Sequence, residues 1–281
     1  GQESDNPVKF FVETCLKDTG KAGIYFTSLQ GGFYGVYGEN IDVDIIKFPY
    51  YWLDGDNLMP AKDQIEQELN SFVERNLNNC LKDFSQFKQI GYNVNSELPD
   101  VISQINENDV SFVLNFPTEI MQNEITENID NYFTTVSIDL KDILGIVKMM
   151  MEEQEKYPNS VPLGNYTFLA YDYNFKYNQL NFGNGEIAHS LQFSDESDQD
   201  LIFAFAAKYD WEEEAKKEVN IGQIPSVYLN ESRAISYQVK ATGEEVKFSD
   251  NTELFDITQD GLIEFDPYLW ENGERNVLIT A

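Results

Sequence analysis

The sequence predicts an α+β domain of about three helices with antiparallel sheets, followed by a small all-β sandwich. Its 281 residues exceed the size of one ordinary small domain, so two domains are the natural expectation. Helical periodicity and short β-rich runs follow one another over residues 1–210, which is typical of an α+β domain. Residues 222–281 contain only short strand-length runs separated by turn residues, which is typical of a sandwich. We therefore expect domains at 1–210 and 222–281, joined by a linker helix at 211–221.

Three segments have the apolar spacing of an amphipathic helix. Apolar residues recur at this spacing from 8 to 16, and again from 65 to 84 after Pro60. The third segment, 139–156, includes three consecutive methionines, and methionines at helical spacing usually fill a core.

Short β-rich runs bounded by Asn, Asp, Pro and Gly predict the strands. Before the third helix they are 87–94, 101–106, 110–116 and 132–138; after it they are 166–173, 175–182, 186–193 and 201–207. The last four are expected to form an antiparallel meander. The stretch 31–59, dense in glycine and aromatic residues, is expected to be irregular, and a loop of that length is either functional or held onto the core.

The linker is predicted as a short polar helix that Asp210 can cap. Glu212 with Lys216 and Glu213 with Lys217 form i,i+4 pairs, and the apolar face is small. A helix of this kind bridges domains more often than it builds a core.

The formal net charge of −30 excludes several classes of partner. Nucleic acid and anionic membrane surfaces are poor partners, because the field of the protein repels phosphate groups. A salt-rich habitat is an alternative reason for the acidity, since mobile ions would screen the self-repulsion. The excess of lysine over arginine does not itself point to that alternative.

Membrane attachment is expected only through a segment that this sequence lacks. No run of about 18 apolar residues is present, so nothing in the sequence is expected to span a membrane. The sequence starts at Gly1 and not at Met, and we expect a signal peptide or anchor helix to have been removed from it.

The two cysteines, Cys15 and Cys80, each lie on the apolar face of a predicted helix near its end, and each is followed by Leu-Lys-Asp. We expect a disulfide between them, which would indicate an oxidising compartment. The alternative is a pair of free thiols in the core. A catalytic thiol is not expected, because an apolar face disfavours the thiolate and the single histidine, His189, lies in another predicted element.

The strongest candidate for ligand recognition is an aromatic loop. Tyr50, Tyr51 and Trp52 stand beside Asp54 and Asp56, and flat apolar rings next to hydrogen-bonding groups suit the surfaces of sugars and proteins. In the alternative interpretation these rings only cover the two disulfide-linked helices.

No catalytic, metal or cofactor signature is recognisable. One histidine and two separated cysteines do not give a zinc site, and no nucleophile or phosphate-binding motif is present. With 49 acidic residues, a pair of carboxylates can always be proposed for hydrolysis, so their abundance gives no information.

One acidic loop contains several residues of the type that binds calcium. Asp195, Glu196, Asp198 and Asp200 do not follow the spaced ligand template of a calcium-binding loop, and we interpret the segment as a solvated loop. We expect neither a metal nor a cofactor.

The C-terminal residues resemble a known repeat. The segments 249–267, which contains Phe-Asp-Ile-Thr-Gln-Asp-Gly-Leu-Ile-Glu-Phe-Asp-Pro, and 276–281, Asn-Val-Leu-Ile-Thr-Ala, look like the second half of a cadherin-like, immunoglobulin-like repeat of prokaryotic surface proteins. The resemblance covers about residues 222–281, which is short for the fold. It implies an immunoglobulin/cadherin-like sandwich, without calcium bridging because the calcium-ligating motifs of true cadherins are missing.

The N-terminal residues are similar to a group of uncharacterised archaeal cell-surface proteins. The similarity is carried by residues 7–32, by 49–55 (Pro-Tyr-Tyr-Trp-Leu-Asp-Gly) and by 79–81 (Asn-Cys-Leu), and extends loosely over 7–215. Members of the group carry one N-terminal membrane helix and project the rest outside the cell. The resemblance implies an extracellular location and brings no activity.

The expected function is therefore binding, adhesion or a structural role at the cell surface, with a protein or glycan as the partner. Two glycosylation sequons, at Asn165 and Asn230, agree with an extracytoplasmic location. The alternative is an extracytoplasmic hydrolase acting on glycans or peptides, which two converging carboxylates in a deep pocket would favour.

Overall fold

A computed structural model describes residues 6–194, 200–211, 220–222, 224, 234–242, 246–250, 252, 255–265 and 279–280. The chain divides into two compact units, Gly1–Glu212 and Glu213–Ala281. Helices and several sheets both occur, so the predicted α+β class is confirmed.

The described α-helices all lie in the first unit. They are α1 Pro7–Leu29, α2 Lys62–Leu81, α3 Ser85–Lys88, α4 Leu140–Gln154 and α5 Leu163–Asp172. Helix α1 begins where the Asn6 side chain accepts hydrogen bonds from the backbone N–H groups of Val8 (2.8 Å) and Lys9 (3.3 Å). Helices α1, α2 and α4 match the three predicted ones, while α3 is a single turn and α5 was not expected.

Ten strands are described in the same unit. They are β1 Asn40–Val43, β2 Ile46–Leu53, β3 Asp56–Asn57, β4 Tyr92–Ser96, β5 Asp100–Ile105, β6 Val110–Gln122, β7 Ile125–Val136, β8 Lys176–Gly183, β9 Glu186–Phe193 and β10 Leu201–Lys208.

The larger sheet has the order β1-β2-β10-β9-β8, with β3 paired to β2. Its pairs are antiparallel except β2 and β10, which run parallel with Tyr50 opposite Ala206 and Trp52 opposite Ala207. The antiparallel pairing predicted for 175–182, 186–193 and 201–207 is confirmed by β8, β9 and β10. The parallel pairing of β2 with β10 makes the sheet as a whole mixed, which was not predicted. The stretch 31–59, expected to be irregular, supplies three of its strands.

The smaller sheet is antiparallel and centred on β6. Strand β7 pairs along one side of β6, and β5 and β4 pair with its two halves along the other. The register with β7 shifts between Asn115 and Thr118, where Pro117 has no backbone N–H to donate.

Helices α1 and α2 pack against each other in antiparallel directions. Cys15 lies opposite Cys80, with 5.6 Å between their Cα atoms, and farther along α1 Gly23 lies against Phe72 of α2. The cysteine distance is within the range of a disulfide and the structure joins the two residues, consistent with the predicted bond. The buried apolar faces of both helices belong to the main core of the unit, together with residues of both sheets.

The predicted strand at 166–173 is wrong, because residues 166–172 lie in α5 and residue 173 is its C-cap. The alternation of Tyr166, Phe168 and Ala170 resembles the period of a strand, but packing decides the conformation. Tyr166 is fully buried, and its hydroxyl lies 3.2 Å from the Met150 carbonyl oxygen of α4.

The second unit is described only as short strands. They are β11 Asn220–Ile221, β12 Ile235–Gln238, β13 Ala241–Thr242, β14 Ser249–Asp250, β15 Leu262–Phe265 and β16 Ile279–Thr280. These strands form three antiparallel pairs, β11 with β13, β12 with β15 and β14 with β16. Val239, Ile257 and Ile263 form a small buried cluster. Most of the predicted linker helix, at 212–219, lies outside the described residues.

Candidate functional site

The structure places the predicted aromatic recognition residues inside the first unit. Tyr50, Tyr51 and Trp52 lie in β2 with exposed fractions of 7%, 0% and 2%. A ring that is already buried cannot stack on a ligand, so the prediction of a recognition loop at these three rings is wrong.

The polar atoms of two of these buried rings are satisfied by hydrogen bonds. The Tyr51 hydroxyl donates to the Gly31 carbonyl oxygen at 2.8 Å, and its ring stacks on Phe205 at 4.7 Å. The indole N–H of Trp52 donates to the Pro158 carbonyl oxygen at 3.0 Å. Successive side chains of a strand point to opposite faces of the sheet, so the burial of three consecutive residues of β2 shows that both faces are covered there.

The two acidic residues of that prediction form a tight turn. Asp54 and Asp56 are exposed, and Asp54 and Gly55 have φ values of 53° and 89°. Two consecutive positive φ values are typical of a type I′ hairpin turn, here joining β2 to β3. This Asp-Gly pair therefore has a structural role.

A different part of the glycine- and aromatic-rich stretch lines a cleft of about 310 Å³. We call it the tyrosine cleft; its lining residues are Tyr34, Gly35, Tyr37, Glu68, Ser71 and Arg75. Its volume is at the small end of the range of ligand pockets, roughly 300–1,000 Å³.

Helix α2 supplies one side of the tyrosine cleft. Glu68, Ser71 and Arg75 follow the i, i+3, i+7 spacing, so they lie in one stripe along the helix. One carboxylate oxygen of Glu68 accepts hydrogen bonds from the backbone N–H groups of Tyr34 (2.8 Å) and Gly35 (3.2 Å). Glu68 thereby fixes the loop after α1 against α2.

The Tyr34 ring is held in place by aromatic contacts. It meets Phe72 edge-on with 5.1 Å between ring centroids, and Phe26 at 6.0 Å. The Arg75 guanidinium lies 5.6 Å from the centroid of the same ring, within the range of a cation–π interaction. The cation and the ring are therefore positioned together before a ligand arrives.

Tyr37 is the exposed ring of the tyrosine cleft, with 86% of its surface accessible. Its ring packs over Gly35, where an added Cβ atom would come within 2.8 Å of the Tyr37 Cε2. A glycine at position 35 thus gives the Tyr37 ring a backbone surface on which to lie.

Glycine also lets the chain leave α1 toward the cleft. Gly31 and Gly32 have φ values of 58° and 82°, which side chains disfavour. A Cβ atom at Gly32 would come within 2.8 Å of Ile65 of α2.

The sequence contained part of the signal for this site. The density of glycine and aromatic residues at 31–38 indicates a functional or core-attached loop, and the polar stripe of α2 follows from the spacing of its residues. The side chains of Glu68, Ser71 and Arg75 were missed because nothing in the sequence shows that the stripe faces the loop.

A buried polar network occupies another part of the unit. His189 is fully buried; its Nδ1 lies 2.7 Å from the Tyr177 hydroxyl, and its Nε2 has no described partner. Burial lowers the pKa of His189 to about 3, so the ring is neutral near pH 7. The Tyr166 and Tyr209 hydroxyls lie 3.1 and 2.7 Å from the Gln154 side-chain oxygen. The contacts of Gln154 join α4 to α5 and to the residue that follows β10, and the contact of His189 joins β9 to β8.

Of the predicted glycosylation sites and the acidic loop, only part lies among the described residues. Asn165 is exposed on α5 and its amide donates to the Glu153 carboxylate. Asn230 and the acidic residues Asp195, Glu196 and Asp198 lie outside the described residues.

No family model, curated protein or solved structure matches this chain. None of the helices in the described part of the chain has the length and the apolar character needed to cross a membrane.

Proposed function

We propose that this chain is an extracytoplasmic cell-surface binding protein of the archaeal type described above, and that its first unit recognises a glycan in the tyrosine cleft. The observation that carries this proposal is the cleft itself, in which an exposed ring, a positioned guanidinium, a hydroxyl and a carboxylate line one concavity. An aromatic face with a few oriented polar groups is the usual composition of a small-ligand site.

Two further observations support an extracytoplasmic location. The Cys15–Cys80 disulfide is of a kind that persists in oxidising compartments. The side chain of Asn165 is exposed, as a glycan acceptor must be. In this proposal the chain is held by an N-terminal anchor, and the second unit is an immunoglobulin/cadherin-like sandwich that acts as a spacer or adhesive module.

A specific feature also favours the alternative, a hydrolase acting on glycans or peptides. A second concavity of about 330 Å³ lies beside the register shift of β6, and Glu97, Glu119 and Asp130 line it together with neutral polar residues. Two of these carboxyl groups could serve as acid and base. The alternative predicts cleaved products when the protein is incubated with the glycans that it binds.

The proposal is tested by screening the whole chain on a glycan array, with variants of two tyrosines. Tyr37→Ala removes the exposed ring of the tyrosine cleft, and we expect it to weaken glycan binding about tenfold or more. Tyr171→Ala is the matched control, because Tyr171 is 85% exposed on α5 and outside the cleft.

Both tyrosines are exposed, so neither substitution should change the thermal midpoint appreciably. Binding to no glycan, or equal losses in the two variants, would show that the tyrosine cleft is not a glycan site.

A further inference from the structure

Arg75 is a cation that has no acidic partner among the described residues of a strongly acidic chain. The ion pairs described in the structure all use lysine, as in Lys62 with Glu66 and Lys208 with Glu186. Among the described residues, Arg75 takes part in none of them, although the whole chain contains 49 acidic residues. Its guanidinium lies over the ring of Tyr34.

This contact positions the guanidinium and leaves its hydrogen-bonding capacity unused. A cation–π interaction uses the charge of the group, whereas the N–H donors of Arg75 reach no acceptor among the residues that the structure describes. The planar fork of a guanidinium matches the two oxygens of a carboxylate.

The rest of the tyrosine cleft limits the charge of such a ligand and offers a surface for its ring. Glu68 uses one carboxylate oxygen to hold two backbone N–H groups, which offsets part of its negative charge. Groups of higher charge are repelled more strongly by a protein of net charge −30, so a monoanion is favoured over a phosphate dianion. Tyr37 offers an apolar face beside the fork, on which the ring of a sugar can lie.

We infer that the tyrosine cleft binds the carboxylate of an acidic sugar, a uronic acid residue, through Arg75, with the sugar ring against Tyr37. This inference rests on the proposed glycan binding and adds the chemical class of the ligand. Arg75 selects the carboxylate, while Tyr37 contributes to the affinity for acidic and neutral sugars alike.

The test uses a matched pair of probes, a trisaccharide with one galacturonic acid residue among neutral sugars, and the same trisaccharide with that one carboxyl group reduced to an alcohol. Affinities of the whole chain for both are measured by calorimetry at physiological ionic strength. We expect the acidic probe to bind about tenfold or more tightly, as a charge-assisted bidentate pair would give.

Variants separate the roles of the two residues. Arg75→Gln should abolish the preference for the acidic probe, and Arg75→Lys should keep only part of it because a lysine lacks the fork. Tyr37→Ala should weaken both probes by similar factors. Lys148→Gln, which removes one positive charge from α4 outside the cleft, should leave the preference unchanged.

The outcomes distinguish a failure of the carboxylate inference from a failure of the glycan proposal. Equal affinity for the two probes would overturn the carboxylate inference and leave the glycan proposal standing, whereas a failure of both probes and of the glycan array would overturn the proposal itself. Tighter binding of a tetraglutamate peptide or of a sulfated trisaccharide than of the uronate would overturn the assignment to an acidic sugar. A preference that survives in Arg75→Gln would show that another residue selects the carboxylate.

Discussion

Phe72 of α2 lies across Gly23 of α1 so closely that a Cβ atom at position 23 would come within 2.8 Å of the Phe72 Cδ1. The missing side chain lets the two helices approach at this point. The same Phe72 ring supports Tyr34 at 5.1 Å between ring centroids. One ring therefore connects the packing of the helices with the geometry of the tyrosine cleft.

This contact predicts opposite effects of alanine at two helical glycines. In Gly23→Ala the new methyl group should displace Phe72 and lower the free energy of unfolding by about 1 kcal/mol, even after the gain in helix propensity. In Gly145→Ala of α4 the new methyl group meets nothing within 4 Å, so this variant should raise the free energy of unfolding by about 0.5–1 kcal/mol. Urea unfolding measures both, and an equal gain in the two variants would contradict the close approach of α1 and α2.

The disulfide should contribute strongly to stability. Cys15 and Cys80 are 65 positions apart, and in the chain-entropy model closing such a loop stabilises the folded state by about 4 kcal/mol. The double variant Cys15→Ala with Cys80→Ala should lose most of that amount in urea unfolding. Two free thiols in mass spectrometry of the non-reduced protein would show instead that the bond does not form.

His189 should make stability depend on pH on the acid side. Because burial lowers its folded-state pKa from 6.5 to about 3, the unfolded chain binds the proton more readily between these values. The contribution of His189 to the free energy of unfolding is fully present above pH 6.5 and is lost as the pH falls. The loss amounts to about 2 kcal/mol between pH 7 and pH 5.

The variant His189→Gln isolates this effect, because every other titrating group is unchanged. The difference in unfolding free energy between the wild-type chain and the variant should shrink by about 2 kcal/mol from pH 7 to pH 5. A constant difference across this range would mean that His189 is not buried in the neutral form.

Glu68 should hold the loop of the tyrosine cleft in its binding conformation. In Glu68→Ala the N–H groups of Tyr34 and Gly35 lose their acceptor, and their amide hydrogens should exchange about tenfold faster or more. Glu152→Ala removes the same charge from α4 and should leave the exchange of both amides unchanged. Unaltered exchange in Glu68→Ala would show that other contacts fix the loop.

The features that the sequence predicted correctly depend on local patterns. The apolar stripes of α1, α2 and α4 repeat within each helix, and the positions of Cys15 and Cys80 on such stripes were sufficient to expect their pairing. The strands β8, β9 and β10 likewise carry their own turn signals.

The features that the sequence could not show depend on distant contacts. Tyr50 and Trp52 are buried because β2 pairs with β10, whose residues Ala206 and Ala207 lie about 150 positions later in the chain. A run of aromatic residues in a loop and the same run in a central strand look alike in sequence.

The tyrosine cleft could not be predicted from the sequence for the same reason. The stripe of Glu68, Ser71 and Arg75 is visible in the sequence, but its function depends on the antiparallel packing of α1 against α2. Whether Arg75 meets one of the many carboxylates is likewise decided by the tertiary fold.

The most direct test of the central claim is to locate a bound glycan by amide hydrogen exchange of the whole chain. With a saturating glycan identified on the array, we predict slower exchange at 33–38 and 68–75, the two segments that line the tyrosine cleft. Binding that leaves both segments unchanged and slows exchange at 95–97 and 118–119, around the acidic concavity, would contradict the claim.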